Sequence, residues 1–102
     1  MKREVFEPYV EDVVKERLDN LVSHPAADTL APFVTEVVTE AMRGKSDEKI
    51  TGKGTLSTKG VATTVIEAAH RVYLQGRDLT LESVFTMDNI EAVAPKRGKT
   101  RA

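Results

Sequence analysis

The sequence predicts a small, mainly α-helical domain: three principal helices and a short fourth, with a Gly/Lys-rich hairpin or loop between the second and third. Apolar residues recur at helical spacing in three long runs. Helix breakers, Pro25, Gly44, Gly76 and Pro95, fall between or after those runs. Residues suited to capping, Asp28, Ser57, Thr58 and Thr80, stand just ahead of three of the helical patterns.

The first run, PYVEDVVKERLDNLVS, predicts a helix from about Pro8, because proline suits the first helical turn. At 100° per residue Phe6, Tyr9, Val10, Val13, Val14, Leu18 and Leu21 share one wide face. Glu11, Asp12, Lys15, Glu16 and Asp19 lie opposite. Pro25 breaks the pattern, and His24 beside it is expected to act as a C-terminal cap. The second helix is expected over roughly Thr29–Arg43, capped by Asp28 and stopped by Gly44. Leu30, Phe33, Val34, Val37, Val38, Ala41 and Met42 cover about half its circumference.

The intervening stretch EKITGKGTLST is expected to form a hairpin or loop. The glycines flanking Lys53 permit a tight turn and place that lysine at its tip. The third helix runs from a Ser57 or Thr58 cap to Gly76, and its apolar arc holds Val61, Ala62, Val65, Ile66, Ala69, Val72 and Tyr73. A short fourth helix, capped by Thr80, buries Leu81, Val84 and Phe85, with Ile90 and Val93 continuing the pattern. Residues 1–94 are thus expected to form a single domain, and residues 95–102 a disordered basic tail. The apolar arcs exceed a minimal bundle seam, which points to a homodimer.

Charge is the most informative part of the composition. Across the chain fifteen basic residues nearly balance sixteen acidic ones. Residues 1–42 carry four basic and nine acidic groups, and residues 61–94 two and five. Residues 43–60 reverse the balance with five basic against two acidic, and residues 95–102 carry four basic groups and no acid. Cations are therefore concentrated on a connection and a tail, while the helices are acidic. Such a distribution suits contact with a phosphate backbone through Lys45, Lys49, Lys53 and Lys59, joined by Lys96, Arg97, Lys99 and Arg101 of the tail. With no aromatic residue interleaved among these lysines, phosphate contact is expected rather than base stacking.

The same glycines and lysines do not make a nucleotide-binding P-loop. That motif needs a glycine five residues before its Gly-Lys-Ser/Thr. Thr39 and Val93 occupy that place for GKS and GKT, and GKGT lacks a hydroxyl directly after the lysine. The run VIEAAHRVYLQGRDLTLESV resembles the opening of a helix-turn-helix, but Pro95 stands where a recognition helix should run. Glu67 and His70 have the Glu-x-x-His spacing of a bundle metal site. The apolar arc of the third helix centres about 70° from Val61, however, while Glu67 falls at about 240° and His70 at about 180°. No cofactor or metal is therefore expected.

Absence of cysteine excludes disulfides and thiolate chemistry and leans to a cytoplasmic setting, and no run is long enough for a membrane span. No catalytic constellation is visible. Arg17 interrupts the apolar face of the first helix between Val13, Val14, Leu18 and Leu21. It either snorkels from the core edge or pairs across an interface. The leading expectation is a non-enzymatic, dimeric accessory or regulatory protein that contacts nucleic acid. The alternative is an adaptor that binds a protein partner through an apolar helical face.

Overall fold

A computed structural model describes residues 1–87, and Ile90, Val93 and the tail residues 95–102 lie outside the described residues. Five helices follow in order: α1 (Arg3–Leu21), α2 (Ala26–Met42), α3 (Asp47–Thr51), α4 (Thr58–Leu74) and α5 (Leu81–Met87). Helices α1, α2 and α4 pack mutually, α5 closes against α4, and α3 leans on the same helix. No described helix is long and apolar enough to cross a membrane.

The core explains this arrangement. Val10 and Val14 of α1, Leu30, Val34 and Val38 of α2, and Val65, Ile66 and Val72 of α4 are completely or almost completely buried. Valine dominates the buried set, and Phe6 and Phe85 are its only aromatic members among the described residues. Ile50 from α3 and Val84 from α5 join the same cluster, so all five helices share one interior. The wide apolar arcs that suggested a dimer are largely consumed here, because α4 faces four other helices. Among the described residues the exposed large apolar side chains are Met1, Val5, Leu21, Leu56 and Leu74.

Helix ends follow local chemistry where a side chain or glycine acts and depart from expectation where packing acts. Helix α1 begins at Arg3, five residues before Pro8, which sits inside it. Buried Phe6 anchors this extra turn, whose first hydrogen bonds run from the N–H groups of Val5 and Phe6 to the Lys2 carbonyl. Helix α2 likewise starts early, at Ala26, with Pro25 in the cap position and no side-chain cap. Asp28 is therefore in the first turn, where its charge still suits the helix dipole. His24 does not cap α1, because Val22 ends that helix by donating to the Leu18 carbonyl. The exposed His24 ring instead lies between Asp19, at 3.5 Å, and Asp28, at 3.4 Å.

The stops of α2 and α4 are those the glycines predict: Gly44 and Gly76 take φ angles of 83° and 73°. After α4 the Arg77 N–H returns to the Val72 carbonyl and the Gly76 N–H to the Tyr73 carbonyl, the paired bonds of a Schellman motif. At α5, the Thr80 hydroxyl accepts from the Ser83 N–H while the Ser83 hydroxyl accepts from the Thr80 N–H. This reciprocal box uses serine where glutamate is usual.

The hairpin expected over residues 46–56 does not form, and no strand occurs among the described residues. A single helical turn, α3, takes its place. Ser46 caps it by accepting from the Lys49 N–H at 3.2 Å, and Asp47 and Glu48 supply first-turn acid. Ile50 fastens it to the core with 2% exposure. A hairpin turn would have used positive φ at the glycines beside Lys53, but Gly52 has φ −75° and Gly54 is not in the left-handed region.

Candidate nucleic-acid interface

The basic connection is a built turn. Beyond α3, the Ser57 hydroxyl donates to the Gly54 carbonyl at 2.7 Å and accepts from the Gly60 N–H at 3.3 Å. The Ser57 N–H also reaches the Gly54 carbonyl, at 3.1 Å. Ser57 and Thr58 are buried, so the start of α4 and the end of the turn are held from inside. Gly60 lets the two segments touch. A Cβ placed there would lie 2.4 Å from the Thr55 carbonyl oxygen and 2.6 Å from that of Gly54. No side chain fits in that gap.

This frame presents its lysines outward. Lys45, Lys49, Lys53 and Lys59 are all exposed. Lys49 and Lys53 line one surface depression of about 380 Å³ together with Glu48, Gly52, Gly54, Thr55, Leu56 and Ser57. Among the described residues, none of the four lysines forms an ion pair. Asp47, the other acid of α3, instead pairs with the N-terminal ammonium of Met1. Lys45 follows the Gly44 stop and Lys59 occupies the first turn of α4, so they lie before and after the lining residues in sequence and do not line the depression. Lys96, Arg97, Lys99 and Arg101 lie outside the described residues.

Arg17 is half-buried, and its Nε is buried without a hydrogen-bond partner. A guanidinium N–H removed from water and left unpaired is unfavourable, so this position would gain from an acceptor brought by another group. Glu67 is exposed and His70 half-buried, and no group of metal-ligating side chains occurs among the described residues.

Two further surfaces escaped the sequence reading. Glu7 and Glu11 of α1 meet Glu36 and Glu40 of α2 in a groove that also holds Thr35, Thr39 and Arg43. Each glutamate pair has i,i+4 spacing, so each was readable as one face. That the two faces meet depends on how α1 and α2 are set against each other, which spacing does not give. The second surface is a depression of about 220 Å³ beside Phe33 and Val37, floored by Leu79 and Leu81.

No protein-family model, curated protein or solved structure matches this chain, so its functional reading rests on geometry and charge.

Proposed function

We propose that this chain is a non-enzymatic accessory or regulatory protein that grips nucleic acid by its phosphates. Lys45, Lys49, Lys53 and Lys59 of the basic turn make the contact, and the cationic tail reinforces it. The observation that carries this reading is the placement of Lys49 and Lys53 around one depression on a turn hydrogen-bonded to the start of α4; Glu48 lines the same depression, but neither ammonium forms an ion pair among the described residues. A turn whose backbone is held by hydrogen bonds has less backbone freedom to lose on binding than an unstructured loop. The acidic helices repel the polymer and so restrict the approach to this edge.

An electrophoretic shift series against duplex and single-stranded DNA tests the proposal. Retardation should weaken steeply with salt. In Lys49→Ala/Lys53→Ala/Lys59→Ala the slope of log K against log salt should fall by roughly three for duplex DNA. DNA that migrates freely in the presence of the parent protein at low salt ends the proposal.

The unpaired Nε of Arg17 favours a second reading, an interface with another protein or a second copy of this chain that brings a carboxylate. Arg17→Met should then release a captured partner or lose mass in light scattering, and where the partner is a second copy its melting temperature should fall with the lost association. A parent that is monomeric and captures nothing removes this reading, and the expected homodimer with it.

A further inference from the structure

We propose that the depression after α3 receives one unpaired nucleotide, so that this chain favours single-stranded nucleic acid over duplex. The strand preference presupposes the phosphate contact proposed for this turn and adds to it the form of the polymer. A depression of about 380 Å³ is at the small end of ligand-sized pockets, which span about 300–1,000 Å³. Its charged lining is Glu48, Lys49 and Lys53, one acid against two bases, which leaves a single excess positive charge. Asp47, the other acid of α3, is engaged by the Met1 ammonium. One excess charge matches one phosphodiester and makes no continuous track along a backbone.

The rest of the lining matches the parts of a nucleotide beyond its phosphate. Leu56 stands 45% exposed in the same depression, an apolar side chain beside two ammonium groups. The exposed Thr55 hydroxyl has no hydrogen-bond partner among the described residues and can donate to a phosphate oxygen. Gly54 adds no bulk, and even a Cβ there would meet nothing within 4 Å. Glu48 repels a phosphate but accepts readily from the hydroxyl and amino groups that sugars and bases carry. Leucine has no π face, so Leu56 covers a base by apolar burial and not by stacking. A duplex can offer its phosphates to Lys49 and Lys53, but its bases are stacked, and bringing one to Leu56 requires extruding it. In a single strand the bases are free to splay out. The lysines thus serve either form, while Leu56 and Glu48 tell the two apart.

Fluorescence anisotropy of the full chain with a labelled oligothymidylate, alone or annealed to oligoadenylate, tests this at low and moderate salt. The parent should bind the single strand more tightly at moderate salt, although the duplex carries the denser charge. Leu56→Ser should lower single-strand affinity by about three- to ten-fold, with a much smaller change for the duplex. Leu56→Met keeps the apolar surface and should bind as the parent does. Both variants should melt close to the parent, because the position is exposed. Lys49→Ala/Lys53→Ala should weaken both probes. Three results overturn the strand preference and leave the phosphate contact standing: a duplex bound as tightly as the single strand, a Leu56→Ser that binds the single strand like the parent, or one that loses both probes equally. Binding of neither probe removes both.

Discussion

Gly60→Ala is expected to lower stability by about 2–3 kcal/mol, although alanine is normally the better helix residue. At most helical positions the exchange would gain up to about 1 kcal/mol. Here the added methyl would press on two backbone carbonyl oxygens, at 2.4 and 2.6 Å, and backbone cannot rotate aside like a flexible side chain. Relief requires the 54–55 segment to lift off α4, which loosens the bonds between Ser57 and Gly54 and displaces Lys53. For a domain of this size the melting temperature should fall by roughly 10–15 °C. Phosphate affinity should fall with it if the turn is the binding element. Gly54→Ala is the control: a Cβ there meets nothing within 4 Å, so it should melt close to the parent. Equal melting of Gly60→Ala and Gly54→Ala would show that the turn does not pack on α4 as described.

Leu30→Ala should cost more, about 3–4 kcal/mol. Leu30 has no exposed surface and is among the largest fully buried side chains. Truncation removes its transfer free energy and leaves a cavity that its neighbours cannot fill. A domain of this length has a total stability of about 5–15 kcal/mol, so the variant should sit close to its unfolding threshold. Urea titration should show a lowered midpoint with an unchanged slope. Leu74→Ala, at a position 68% exposed, should shift the midpoint little. A loss below about 1 kcal/mol for Leu30→Ala would place α2 outside the core.

The long helices and their apolar faces were legible because burial of one face imposes a 3.6-residue period, and each periodic run proved to be a helix. The stops at Gly44 and Gly76 and the caps at Ser57 and Thr80 were legible because they are local: one residue and its next three neighbours decide them. The starts of α1 and α2 were not. Phe6 and Ala27 extend those helices through tertiary burial, and Pro8 and Pro32 are accommodated inside them. The residue pattern around Lys53 also misled. Glycines that permit a hairpin do not demand one, and a single apolar residue, Ile50, with Ser46 ahead of it selected a helical turn instead.

The cationic character of the connection could be read directly from the chain, since charge needs no fold. Which lysines share a depression could not, because that depends on how α3 returns toward α4. The acidic and apolar grooves beside α2 were hidden for the same reason: they belong to no one helix and exist only where two elements meet.

The prevalence of valine in the interior has a consequence for how the domain responds to change. A β-branched side chain in a helix has nearly one allowed χ1 rotamer, so ordering it on folding costs little entropy. The same stiffness removes the adaptability that methionine or leucine would lend, and a neighbour altered by one methylene cannot be accommodated by a swivel. Such an interior behaves as a rigid mould: inexpensive to set, intolerant of substitution, and able to pass a displacement at one surface to the opposite side with little damping.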